Sequence, residues 1–323
     1  MAAYNAEATI AESLDSLLEQ TFPEWESIVV DDGSTDRTLA IANGYASRDA
    51  RIKVLTKANG GTGSARNAGA AQAIAEVLSL LDADDKLAPD YFERMHRFIE
   101  GHPGYGIYSC DGYVFSADEA PRPDDLQPDS EIRSYSAEDL LVRNRFRVLT
   151  CFRRGVFELV GGFDEDRHMA MEDYDFWLRA LLRGAKHIHD PERLWLYRVS
   201  ATQKTSDPLV GARADALMFD RLLAGGRLDS RQMRLARATR RRIGRWIRTL
   251  EAQRERWALE ARLAAGDLCG ARRKYLSAWR GYGSKAKYLL GLPVLLVSPR
   301  AFSAISGALR ATEARGRDGV GSA

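Results

Sequence analysis

Apolar residues along the first 200 positions alternate between two spacings, and this narrows the possible folds more than any other feature. Ile10, Leu14, Leu17 and Leu18 recur at helical spacing, so residues 7–20 read as an amphipathic helix. Residues 27–30 form a short strand that ends in Asp31, Asp32 and Gly33. Ser34 or Thr35 is placed to cap a helix over 36–46. A second strand covers 52–55, and a glycine loop at 60–63 leads into an alanine-rich helix over 64–75. The third strand, 77–81, ends in Asp82-Ala83-Asp84-Asp85. Pro89 stands where prolines open helices, and Tyr91, Met95, Phe98 and Ile99 give the helix that follows an apolar stripe. Such alternation predicts an α/β fold with a mixed, mostly parallel sheet covered by helices.

The pattern continues with a polar loop over 117–135, a strand at 149–153 and a helix at 172–183 carrying Phe176, Trp177, Ala180 and Leu181 on one side. Beyond residue 211 the strand signals stop. Residues 231–265 read as one long basic helix with Ile243, Trp246, Ile247, Leu250 and Trp257 as its apolar stripe. A turn at 266–267, a shorter helix at 268–280 and a last helix at 300–312 complete an α-helical C-terminal region. The 323 residues therefore divide into a domain at 1–210 and a basic helical region at 211–323. Charge divides them the same way. The first holds 23 Lys and Arg against 36 Asp and Glu, a net of −13; the second holds 24 against 9, a net of +15.

With 45% apolar residues the chain is too hydrophobic to be disordered. Its three cysteines are far apart, which excludes a CxxC zinc site and a disulfide framework and fits a reducing, cytoplasmic setting. The N-terminus lacks a charged start followed by an apolar core, so it does not read as a secretory signal. The apolar run at 288–297 is broken by Gly291 and Pro293 and is too short to span a bilayer. The basic tail has two readings. It docks peripherally on an anionic membrane at the inner face of the cell membrane, or it caps the acidic domain. Nucleic acid is not expected as a partner, because no base-reading module is present.

Three acidic clusters fall at strand ends or beside them: Asp31-Asp32, Asp82-Ala83-Asp84-Asp85 and Glu172-Asp173. Open α/β sheets bind ligands outside the carboxyl ends of their strands. Asp82 and Asp84, two apart, share a face if the strand reaches them, and paired carboxylates suit Mg²⁺ or Mn²⁺. The glycine loop GGTGSARNAG (60–69) is suited either to a close approach by phosphate or to tight packing of its helix. It contains neither a P-loop nor GxGxxG. Arg66 is its single cation. Glu172 and Asp173 open a helix, where acids serve as caps or, kept ionised, as a general base. His187 and His189 alternate along a strand without a third ligand nearby, which favours a surface or packing role.

Taken in order, AYNAEATIAESLDSLLEQTFPEWESIVVDDGSTD, NGGTGSARNAG, LLDADD, VGGFDE and MEDYDFWLRA resemble the glycosyltransferase family 2 proteins with the GT-A (Rossmann-like) fold, over about residues 2–200. The resemblance implies an inverting, metal-dependent glycosyltransferase. It would transfer a sugar from a nucleotide-diphosphate sugar, typically a UDP-sugar, to a glycan, lipid-linked or other hydroxyl acceptor in cell-surface polysaccharide or glycan synthesis. It also implies roles. Ala3 and Tyr4 lie against the nucleobase, Asp32 accepts a hydrogen bond from it, and Arg66 sits near the nucleotide. Asp82 contacts the ribose, and Asp84 holds a divalent cation (Mn²⁺ or Mg²⁺), with Asp85 a second candidate for either task. Asp173 is the catalytic base, supported by Glu172.

Two departures accompany the resemblance. Family members begin with an apolar strand and a Pro before Ala-Tyr-Asn, whereas Met1-Ala2 stands here, so the first strand is expected to be truncated. Many carry a His shortly after a Tyr-Arg; here Ser200 follows Tyr197-Arg198. A member of this kind that binds nucleotide without turnover is the alternative reading.

Overall fold

The computed structural model describes residues 1–124, 131–166, 169–200, 206–265, 267 and 270–271. The expected alternation opens the chain as β1 (Ala2–Ala3), α1 (Ile10–Leu18), β2 (Ser27–Asp31), α2 (Thr38–Ala46), β3 (Ile52–Thr56) and α3 (Thr62–Gln72). Next come β4 (Val77–Ser79), β5 (Lys86–Leu87), α4 (Tyr91–Gly101), β6 (Ile107–Phe115), β7 (Arg122–Pro123) and α5 (Ala137–Val142). After β8 (Cys151–Arg153), α6 (Arg154–Val160), α7 (Glu172–Leu182) and β9 (His187–Arg198), only α8 (Pro208–Ala224) and α9 (Ser230–Ala264) follow among the described residues. Apart from Gly270 and Ala271, the helix expected at 268–280 lies outside them, as do residue 266 of the turn, the apolar run at 288–297 and the helix expected at 300–312. No helix among the described residues is long and apolar enough to cross a membrane.

β1, β2 and β3 are parallel neighbours, as the helical crossovers between them require. The second sheet, ordered β4-β8-β6-β9-β5, is mixed, with β6 and β9 parallel and the other pairs antiparallel. A parallel bridge from Ala2 to Asp82 joins the two sheets. The first strand is present as β1, whose two residues pair with Val30 and Asp31. The Met1 nitrogen donates to the Ile28 carbonyl at 2.8 Å. Behind Met1, between β2 and β4, lies an apolar cavity of about 280 Å³, lined by Ile28, Val30, Ala73, Leu78, Leu81 and Ile99 among others.

Local chemistry sets the element ends. Neither Ser34 nor Thr35 caps α2; Asp36 Oδ1 accepts from both Thr38 N (2.9 Å) and Thr38 Oγ1 (2.6 Å). The stripe of α4 is buried as expected, at Tyr91, Met95, Phe98 and Ile99. One core runs under the parallel strands from Ile10, Leu14 and Val29 to Tyr108, Cys151 and Trp195. Phe152, Phe163, Phe176 and Trp177 stack at centroid distances of 4.3–6.5 Å and press α7 against β8. Each such pair contributes about 0.5–1.5 kcal/mol beyond its buried area, so the start of α7 is held firmly. The chain forms two compact units, Met1–Gly244 and Arg245–Ala323. The first contains every strand among the described residues, α1–α8 and the start of α9.

Candidate active site

The acids expected to act together do meet at one edge of the sheets. β4 ends at Ser79, so Asp82 and Asp84 are not strand residues; a turn brings them together instead. Carboxylate oxygens of Asp82, Asp84 and Asp85 lie within 4.8 Å of one another. Asp85 is completely buried, and burial followed by its neighbours Asp84 and Asp82 raises its pKa well above the ordinary range. Its Oδ1 accepts from Arg198 N at 2.8 Å, while Oδ2 is buried with no hydrogen-bond partner among the described residues. Three crowded carboxylates with an orphaned oxygen are a donor set that fits a hard divalent cation.

Arg198, at the end of β9, holds this turn. Its Nε donates to the Asp84 carbonyl at 2.9 Å and its Nη2 to Glu12 at 2.8 Å. Tyr197 beside it is half-buried, and burial and then Asp85 raise its pKa. The sequence flagged Tyr197-Arg198 by resemblance alone; contact with the acidic turn could not be read from spacing.

Arg66 ties the second cluster to the third. It is buried within α3 and donates from Nη2 to Asp82 (2.9 Å) and from Nη1 to Glu172 (2.9 Å). Burial alone would lower its pKa, but Asp82, Glu172 and Asp173 outweigh burial and raise it. Acids 90 residues apart in sequence thus share one guanidinium. α3 is itself pinned to the segment before α7. Asn67 donates to the Phe163 carbonyl (3.0 Å) and accepts from Phe163 N (2.8 Å). Gly63 approaches this segment so closely that a Cβ would lie 2.0 Å from the Asp164 carbonyl oxygen. Of the two uses open to the glycine loop, packing accounts for Gly63 and for Gly69, which lies on Val30.

Asp32 sits at the end of β2 and is buried. Its Oδ1 accepts from Lys57 Nζ and Gly60 N, both at 2.9 Å, and its Oδ2 from Gly61 N at 2.7 Å. An ionised carboxylate offers about four lone-pair positions, so about one is left for a ligand. Asp32 therefore shapes the glycine loop, a task its place at a strand end did not reveal. Gly61 takes φ +89°, a left-handed conformation suited to glycine. Ala3 is buried against β2, whereas the Tyr4 ring is 52% exposed beside it. Asn5 braces the Tyr4 turn by accepting from Thr35 N at 2.8 Å.

Asp173 follows Glu172 at the first turn of α7. Burial, then the adjacent Glu172, raises its pKa to about 6, against the pull of Arg66. Sequence reasoning missed Asp215 on α8, a helix that packs near Met171 through Gly211. Burial and then Asp173 raise Asp215 to about 7. No motif marks it. His187 and His189 are buried and take a packing role: Ser109 Oγ lies 2.8 Å from His187 Nε2 and from His189 Nδ1.

The sequence model described as Glycosyl transferase family 2 matches residues 1–161. The putative glycosyltransferase EpsE of Bacillus subtilis is 30% identical over 201 residues, 61% of this chain and 71% of EpsE. The chain belongs to glycosyl transferase family 2. An uncharacterized glycosyltransferase of the same organism, EpsJ, is 35% identical over 215 residues, 64% of this chain; the chain spans 61% of EpsJ. The mannosyltransferase PcManGT of Pyrobaculum calidifontis, in complex with GDP-Man and Mn²⁺, is 20% identical over 94% of this chain and 84% of its own. Its TM-score of 0.58 is a likeness of fold, and the family's GT-A architecture is the one described above.

Proposed function

We propose that the chain is an inverting, divalent-metal-dependent glycosyltransferase that moves a sugar from a nucleotide-diphosphate sugar to a hydroxyl group. A UDP-sugar is the favoured donor, and the acceptor is a glycan, a lipid-linked glycan or another alcohol in cell-surface polysaccharide or glycan synthesis. Residues 1–210 carry the chemistry and 211–323 form the basic helical region. The observation that supports this reading best is Arg66 bonded at once to Asp82 and Glu172. That contact supports a single cleft shared by the metal-type cluster and the candidate base, and PcManGT, of like fold, is in complex with GDP-Man and Mn²⁺.

In this reading Tyr4 stacks on the base, beside Ala3, and Asp32 accepts one hydrogen bond from it. Arg66 and Asp82 sit against the nucleotide, with Asp82 toward the ribose. Asp84 and Asp85 hold the cation, which when bound would neutralise charge on the departing diphosphate. Asp173 takes the proton of the acceptor hydroxyl as its oxygen attacks the anomeric carbon from the face opposite the leaving group. One displacement inverts the configuration. Glu172 fixes Arg66 and keeps the Asp173 proton affinity high enough for a base working near neutrality.

The test is release of nucleoside diphosphate from a panel of UDP- and GDP-sugars with Mn²⁺. Asp173→Asn should lower turnover by about 10²–10⁴-fold, the usual contribution of a general base, while nucleotide and Mn²⁺ still bind. Asp84→Asn should abolish both turnover and Mn²⁺-dependent nucleotide binding. Full turnover by Asp173→Asn would remove the base assignment. If the wild-type chain binds nucleotide yet releases none of the panel's diphosphates, the non-catalytic reading stands instead.

A further inference from the structure

Helix α9 presents a charged line that the transfer chemistry leaves unused. Arg234, Arg237 and Arg241 on α9 are all exposed. They are spaced three or four residues apart, which puts them on one side of the helix over roughly 10 Å at 1.5 Å per residue. None of the three has a carboxylate partner among the described residues. The contrast with their neighbours is sharp. Arg240 pairs with Asp220 on α8 at 2.7 and 2.8 Å, Arg242 donates to the Val142 carbonyl, and Gln232 donates to Glu138 on α5 at 3.2 Å. Ala236, Thr239 and Ile243, on the opposite side, are buried. The first half of α9 is thus anchored by its apolar side, and its arginine line points outward. Like charges at helical spacing repel, so this line favours an anionic partner.

We propose that the arginine line of α9 docks the protein on an anionic lipid surface. A straight row of guanidinium groups matches a plane of phosphate headgroups, and Arg pairs with phosphate oxygens through two parallel hydrogen bonds. Ala238 stands among the arginines, and no aromatic or amide side chain on that line could stack on or read a nucleobase, which argues against nucleic acid. The buried apolar side distinguishes this docking from insertion of an amphipathic helix. Contact is electrostatic and peripheral, and it goes beyond the sugar-transfer reading without depending on it.

Co-sedimentation of the full chain with vesicles tests this, comparing phosphatidylglycerol mixed with phosphatidylcholine against phosphatidylcholine alone. Binding to the anionic vesicles only, released near 1 M salt where the screening length is about 3 Å, is expected. Each arginine should contribute about fivefold to the partition, so Arg234→Gln, Arg237→Gln and Arg241→Gln together should weaken it roughly a hundredfold. The same three positions changed to Lys should retain it. Three arginines removed elsewhere, Arg48→Gln, Arg94→Gln and Arg97→Gln, should leave it nearly unchanged. Equal binding to neutral vesicles, full binding by the α9 glutamine variant, or capture of a duplex DNA probe by a chain that ignores vesicles would each overturn the proposal.

Discussion

Asp173 holds its proton up to about pH 6 because it is half-buried and lies beside Glu172. A base must be ionised to act, so transfer should rise with pH. Below about pH 6 the rate is expected to fall tenfold per unit, and above it to level off. A rate profile measured with saturating donor checks this; a flat line from pH 5 to 7 would contradict the assignment. The same residue shows how far local reading reaches. Glu172-Asp173 at a helix start was visible as a pair of acids, yet such acids are routine caps. What marks them as more is Arg66, 106 residues away, bonded to Glu172. Asp215 had no visible mark, because its nearness to Asp173 depends on how α8 crosses α7.

At the scale of elements, the glycine loop and the strand β9 carry the clearest consequences. Gly63 lets the first turn of α3 touch the segment that leads to α7. Gly63→Ala would drive a methyl group into the Asp164 carbonyl and should cost about 1–3 kcal/mol or more. A urea melt should show that loss, accompanied by weaker nucleotide binding as Arg66 shifts with α3. On β9, His187 is fully buried, and burial and then His189 push its pKa well below 6.5. The unfolded chain then binds the extra proton first, so this residue removes stability as pH falls below about 6.5. The slope is up to about 1.4 kcal/mol per pH unit. Asp173 and Asp215, with raised pKa values, act in the opposite direction as pH rises. Urea midpoints at pH 7 and pH 5 for the wild type and His187→Gln separate the two, and the variant should show the smaller acid loss. Buried His187 fits the packing role expected from the sequence, but the expectation of a surface position does not hold for either histidine.

For the molecule as a whole, Arg66 is the residue that links parts made separately. Its helix lies on the three-stranded parallel sheet, while its partners stand after β4 and at the start of α7. Replacing it with Met would leave Glu172 buried without its guanidinium. Removing one partner from such a pair costs about 3–5 kcal/mol. Arg66→Met is therefore expected to lower the Tm by several degrees and to abolish donor binding. A stable, donor-binding variant would show that the two sheets hold together without it. Arg66→Lys should recover part of the stability, since one ammonium cannot reach both acids as a fork does.

The amino-acid sequence by itself determined the alternation from α1 to β4, the helix α4 with its stripe, the long basic α9 and the placing of acids at chain turns. These depend on spacing of three or four residues, or of two, and such spacing is local. It also carried the family resemblance, which the match over residues 1–161 bears out. It left β6 unmarked, although Ile107–Phe115 is buried almost throughout, and the expected mixed sheet carried no order for its strands, because an apolar run names neither its neighbour nor its direction. Only the tertiary structure decided that Asp32 spends three lone pairs on Lys57 and the glycine loop, that Arg198 holds the acidic turn, and that Arg66 joins Asp82 to Glu172. Those pairings join positions from 16 to 114 residues apart. The order of strands sets them, and no periodicity along the chain encodes that order.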